Sequence, residues 1–330
     1  MNRAKGALDR DTDEGPLGST INDEGLVRCV FSSMEMLKIG TGTTTRKHVS
    51  KTYWFVEGLP DDFFSVRKIN SHHVPAGEAK TISLKQLMDK FIPEIEFYEE
   101  NTIPSMEQLE EFLDEGELHR EEGQLYSAES SFNKALGLDE KNVRALFNLG
   151  LIYLELKDMS KAKDMMGDLL NVKSAFSGKN QHLFNEFGIS LRKSRLFDEA
   201  NAYYSHALKY AENDEHLYYN IARAHYECSN WEACIASIKM ALAINPELEI
   251  AHNLVSVIQT LGNRPHLCEQ NNKERIPNSI IKQVKEIFGN HPELDPKGVE
   301  PHPDWIRFNS NTNQPETGRV RSGNAPEDIK

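Results

Sequence analysis

The middle of the chain repeats itself every 34 residues, and nothing else in the sequence limits the fold so tightly. Leu146-x-x-Leu149-Gly150-x-x-Tyr153 is followed by Ala162, twelve residues after the glycine. Phe184-x-x-Phe187-Gly188-x-x-Leu191 is followed at the same offset by Ala200, then Tyr204 and Ala207. Tyr218-x-x-Ile221-Ala222-x-x-His225 leads to Cys234, Ile238, Ala241 and Pro246, and Phe112-x-x-x-Gly116 leads to Ala128, Phe132 and Ala135. The register gives four units, 109–142, 143–176, 181–214 and 215–248, with a four-residue insert at 177–180. Each unit reads as two amphipathic helices. A small residue at the eighth position lets the first helix sit close to the second, and an alanine at the twentieth lets the partner approach in return. Large residues at the fourth, eleventh and twenty-fourth positions fill the space between them.

These units resemble the tetratricopeptide repeat family. The fourth is the nearest, through Tyr218, Asn220, Ile221, Ala222, Trp231, Ala241 and Asn245-Pro246. The first departs from the pattern, with Glu115 and His119 in place of apolar residues and Glu140 where proline is common. A helix over 249–261 looks like the cap that covers the last apolar face of such arrays. The resemblance implies a mainly α fold, an α-solenoid of four helix pairs plus a capping helix across 109–262. It also implies a concave binding surface, lined by the second, fifth, ninth, twelfth and thirteenth positions of each first helix. In this sequence those partner-binding residues are Arg144, Phe147, Leu151 and Leu154, then His182, Asn185, Ile189, Arg192 and Lys193, then His216, Tyr219, Arg223 and Tyr226. Glu155 and Glu227 share that lining, and the first unit adds Glu110, Leu113, Glu117, Arg120 and Glu121. Such a groove is acidic at its start, apolar in its middle and basic toward its later units. It suits another protein's amphipathic, partly acidic peptide or helix. The lysine/asparagine clamp by which some relatives hold a chaperone's C-terminal tail is missing: Leu113 and Glu117, or Phe147 and Leu151, occupy its first positions.

The flanks differ from the array. Residues 1–25 are polar and read as a disordered tail. Residues 26–93 read as a small strand-rich α+β domain, with strands at 26–31, 51–56 and 63–69 and a turn at Glu57–Asp62. Ser83 is placed to cap a short helix over 84–91, stopped by Pro93. Residues 94–108 read as a linker. Beyond the array come a connector with an amphipathic helix at 278–289, within 263–289, and a Pro- and Asn-rich tail at 290–330 that reads as disordered around a Trp305–Phe308 aromatic island.

Charge and composition narrow the function. The net charge is −13, and residues 109–262 hold 15 Lys/Arg against 24 Asp/Glu. That balance argues against nucleic acid or anionic lipid as the partner of the whole surface. No apolar run approaches the roughly 20 residues of a membrane span, and the N-terminus has no secretory h-region. The four cysteines form no CxxC pair, which fits a reducing, cytoplasmic setting. Gly40-Thr41-Gly42 through Lys47 lacks P-loop spacing, His72-His73 lacks further metal ligands, and no nucleophile turn is present. No cofactor, metal or catalytic set is expected. The sequence thus reads as a non-enzymatic cytoplasmic adaptor or scaffold that binds a peptide or helix in its groove. The alternative is a regulatory protein whose basic N-terminal domain, with Arg46, Lys47, Lys51, Arg67 and Lys68 among Tyr53, Trp54, Phe55, Phe63 and Phe64, binds nucleic acid or a small ligand while the array recruits a partner.

Overall fold

The computed structural model describes residues 27–39, 46–211 and 213–290. They divide into two compact units, the first ending at Ser190 and the second beginning at Leu191. The expected N-terminal tail, most of the Gly/Thr loop and the Trp305–Phe308 island lie outside the described residues.

The first unit opens on an antiparallel sheet of five strands in the order β4-β3-β2-β1-β5. They are β1 (Arg28–Ile39), β2 (Arg46–Leu59), β3 (Phe63–Ile69), β4 (Pro75–Ser83) and the two-residue β5 (Ile92–Pro93). The turn expected after Glu57 is present, with Asp61 and Asp62 both at positive φ. The strands run further than the sequence pattern suggested because β1 and β2 pair along their full lengths, from Arg28↔Glu57 to Ile39↔Arg46. Helix α1 (Leu84–Lys90) starts where expected, on a reciprocal capping box between Ser83 and Gln86. Its Leu87 packs with Val56 and Val66 on one face of the sheet. On the opposite face Val30, Phe55 and Ile69 meet Phe97, Tyr98, Ile103 and Met106.

Those last residues come from the segment expected to be a linker, and the structure corrects that expectation. Residues 94–108 run through α2 (Ile95–Phe97) and a π-turn (Tyr98–Thr102) into α3 (Ile103–Glu121). The π-turn has a local cause. Pro104 has no N–H to give to the carbonyl four residues back, and the amide of Ile103 bonds instead to Tyr98, five back. Glu94 anchors the start: its amide donates to Val30, and its carboxylate accepts from Ser32 Oγ at 2.7 Å and from Lys51 Nζ at 2.6 Å. Asn70, at the β3–β4 turn, donates to the carbonyl of Leu138 at 2.7 Å and ties the sheet to the end of the next helix.

Helices α3 and α4 (Leu125–Leu138) form the first pair, and α5 (Val143–Glu155) and α6 (Met159–Leu170) the second. The insert 177–180 falls in two 3-10 turns, after which come α7 (Gln181–Lys193) and α8 (Phe197–Ala207), then α9 (Glu215–Glu227) and α10 (Trp231–Ile244). The fifteenth residue of every unit, Gly123, Lys157, Arg195 and Ser229, is left-handed, with φ of 74, 61, 64 and 60°. Each time the next residue's amide reaches five residues back, as Asp158 to Tyr153 and Asn230 to His225, which closes the first helix and starts the second.

The small residues at the eighth positions hold rings close to the backbone. A Cβ on Gly116 would stand 2.7 Å from Phe132 of the partner helix α4, as the sequence led us to expect. One on Gly150 would stand 2.6 Å from Phe187, so this glycine serves the following repeat rather than its own pair.

In the second unit α11 (Glu249–Asn263) does the work expected of a cap, but it does not finish the core. After the short α12 (His266–Gln270), helix α13 (Asn278–Asn290) lays Ile280, Val284 and Ile287 into the same apolar cluster as Trp231, Ile238, Leu254 and Ile258. The amphipathic helix expected at 278–289 therefore packs on α10 and α11.

Two substitutions test this packing in opposite directions. Lys157→Gly removes the cost of a side chain in the left-handed region and is expected to stabilise by about 0.5–1 kcal/mol. Gly116→Ala forces a methyl group against the fully buried Phe132 ring and is expected to destabilise by about 1–3 kcal/mol. Urea unfolding of the full chain measures both, and equal midpoints for the two variants would contradict the assigned register.

Candidate functional site

The expected lining residues separate by helix. Every residue of α5 from Ala145 to Leu154 is buried, and Phe147, Leu151 and Leu154 expose only 0, 1 and 5% of their surface. A helix that is apolar all round is a core helix. This corrects the idea of an open apolar centre at these three positions. Phe147 spends one face on the ring of Phe187, 6.1 Å away edge to face.

Arg144, at the start of α5, is also committed. It donates to Glu117 at 2.8 and 2.9 Å, to Glu110 at 2.8 Å and to Asp114 at 2.9 Å. The bond to Glu117 leads the effects that hold its guanidinium firmly protonated. Arg120 does the same one layer on: it bonds Glu186 at 2.7 Å, Glu155 at 3.2 Å and Asn148 Oδ1 at 3.2 Å. Burial pulls its protonation down, but the two carboxylates outweigh that and raise it. The acidic start of the expected groove is therefore a set of internal ion pairs, partly exposed and modest in energy.

Helix α7 is different. His182, Asn185, Ile189 and Lys193 follow one another at steps of three and four residues, so they form one stripe. His182 is exposed, and Asn185, Ile189 and Lys193 are half-buried. On α9, His216 is exposed, whereas Tyr219, Arg223 and Tyr226 are buried.

Around the end of α9 three cations share one carboxylate. Glu227 lies 2.9 Å from Lys273 Nζ, 3.9 Å from Arg223 and 3.8 Å from Arg192. Lys273 also donates to the carbonyls of Tyr226 and Glu227 at 3.1 and 2.9 Å, capping the helix at the negative end of its dipole. Arg223 Nη1 donates to Tyr219 Oη at 3.2 Å. Burial, followed by the charge of Arg223, lowers the pKa of Arg192. Sequence reasoning placed Arg192 and Arg223 in the lining but missed Lys273, which lies outside the repeats and has no periodic signal. The i,i+4 spacing of Arg223 and Glu227 was the one readable part.

Several basic and aromatic residues of the sheet contact one another or their neighbours in the fold. Arg28 and Arg67 lie over the Phe55 ring at 5.4 and 5.6 Å, Tyr53 stacks on Phe97 at 4.1 Å, and Trp54 Nε1 donates to Ser33 Oγ at 2.9 Å. Among the described residues no group of three or more His, Cys, Asp or Glu could hold a metal ion, and no helix is long and apolar enough to cross a membrane.

Glu227→Gln leaves three cations without their shared anion. Because Glu227 is about a quarter exposed, the expected loss is about 2 kcal/mol rather than that of a fully buried pair. Urea denaturation checks it, and an unchanged midpoint would show that this carboxylate does not hold the cluster.

Comparison with known proteins places residues 113–162 on the family model described as tetratricopeptide repeat. The BBSome complex member BBS4 homolog of Drosophila melanogaster is 23% identical over 168 residues, which are 51% of this chain and 34% of that protein. The chain thus spans about a third of the length of the curated relative it matches. Among solved structures, MamA from Desulfovibrio magneticus RS-1 is 15% identical, covering 58% of this chain and 98% of its own, with a TM-score of 0.39. PilF of Pseudomonas aeruginosa is 13% identical, covering 59% and 78%, with a TM-score of 0.37.

Proposed function

Because the chain carries tetratricopeptide repeats, a scaffold for protein–protein interaction, we propose that it binds an amphipathic, partly acidic peptide or helix along the stripe of α7. The observation that carries this reading is the contrast between two equivalent helices. Helix α5 is buried all round, whereas α7 keeps His182, Asn185, Ile189 and Lys193 at least partly exposed in one row. Ile189 takes an apolar side chain of the partner, and Lys193 takes a carboxylate. His216 on α9 is exposed as well. The curated relative is by its name a complex member, a role of the same class. The N-terminal sheet, whose rings are occupied by its own cations and aromatics, serves here as a support for the first repeat.

Selection of displayed random peptides on the full chain tests this. Enriched peptides are expected to combine apolar residues with Asp or Glu. The double variant Ile189→Asp, Lys193→Glu is expected to weaken them by about tenfold or more, since a few central residues carry most of a peptide's affinity. Enrichment of basic peptides, or binding unchanged in the double variant, would overturn the reading.

A further inference from the structure

The two edges of the N-terminal sheet differ. At one edge β4 starts on Pro75, carries Glu78 and Lys80, and shifts register against β3 between Val66 and Lys68. Proline, charge and broken register are the features by which native edges refuse a further strand. At the other edge β1 pairs with β2 without a break, from Arg28↔Glu57 to Ile39↔Arg46, whereas β5 covers only Phe31 and Ser32 on its outer side. The carbonyl of Val30 accepts from the amide of Glu94 on that outer side. By alternation the N–H and C=O groups of Met34, Met36 and Lys38 face outward as well. Among the described residues no strand meets them, and Met34 is 57% exposed. Such an edge is a template for one more strand. Two charges, Glu35 and Lys38, restrict which strand fits, and β2 sets Lys47 directly across from Lys38.

We propose that the outer edge of β1, from Ser33 to Ile39, accepts the Pro303–Asn309 segment of a second copy of this chain as an antiparallel strand. That segment holds the aromatic island, lies outside the described residues and matches the free edge in length. With Asp304 opposite Lys38, the register sets Trp305 opposite Leu37, Ile306 opposite Met36, Arg307 opposite Glu35 and Phe308 opposite Met34. Both charges of the edge then meet an opposite charge, and apolar residues meet apolar ones. Asp304 also offsets the like-charged Lys38–Lys47 pair from its other side. A shift of two residues either way, the smallest that keeps amides on carbonyls, sets no opposite charges across from each other. Pro303 falls opposite Ile39, where the N–H it lacks would turn away from β1. Asn309 falls opposite Ser33, so the added strand stops where β5 begins. Main-chain bonds supply the affinity and the two charge pairs the register. Every copy carries both the edge and the segment, so the chain assembles with itself.

Light scattering of the full chain at rising concentration tests this. The wild type is expected to pass from monomer to larger species. Ile306→Pro removes an N–H turned toward β1 and is expected to weaken association about tenfold or more. Asp304→Lys with Arg307→Glu sets like charges across from each other at both positions and is expected to weaken it as much. Adding Glu35→Lys with Lys38→Glu to that pair is expected to restore association. A wild type that stays monomeric at every concentration would overturn the second copy as occupant. Association left unchanged by Ile306→Pro would overturn the segment. A combined charge variant that stays dissociated, with the circular dichroism of the wild type, would overturn the register.

Discussion

Each helix pair turns on one residue held in a left-handed conformation, and the rest of the array follows from that turn. Gly123, Lys157, Arg195 and Ser229 stand at the same position of successive units. The six-residue hydrogen bond that follows each of them sets where the second helix starts and in which direction it runs. The spacing between helices is then fixed by rings pressed on bare backbone, Phe132 on Gly116 and Phe187 on Gly150. Neither contact tolerates a Cβ. Only the first of the four turns uses glycine; the others accept the cost of a side chain at positive φ.

Much of this was legible in the sequence because it is periodic. Small residues, alanines and aromatics recurring at one interval located all four helix pairs, and Ser83 with Gln86 located the start of α1. What escaped was whatever depends on distant partners. The segment 94–108 looked like a linker because its carboxylates hide Phe97, Tyr98, Ile103 and Met106, which only the sheet reveals as a face. Phe147, Leu151 and Leu154 occupy lining positions by number, yet helix α5 is buried on every side. Lys273 acts on α9 from 46 residues away, with no pattern to announce it.

The array also uses its own charges more fully than its composition suggests. An acidic chain of net charge −13 would be expected to leave its few basic side chains on lining positions free for a ligand. Instead Arg144 takes up Glu110, Asp114 and Glu117, and Arg120 takes up Glu155 and Glu186. These pairs stitch first helices of the first three repeats to one another, Arg120 reaching past the second to Glu186 of the third, so in the early repeats the charge pattern serves cohesion. The balance reverses at the end of α9, where three cations meet one carboxylate. A repeat architecture allows this division, since each unit answers mainly to its neighbours.

The run of helix from Ile95 to Glu121 belongs to two cores at once. Its first turns complete one face of the sheet, and its last turns pair with α4. Solenoids ordinarily melt from their ends, one repeat after another, because a terminal unit has a single neighbour. Here the first repeat cannot fray without uncovering Val30, Phe55 and Ile69 of the sheet. The sheet and the first repeat therefore open as one cooperative block, and the end of the array that would otherwise be the loosest is clamped.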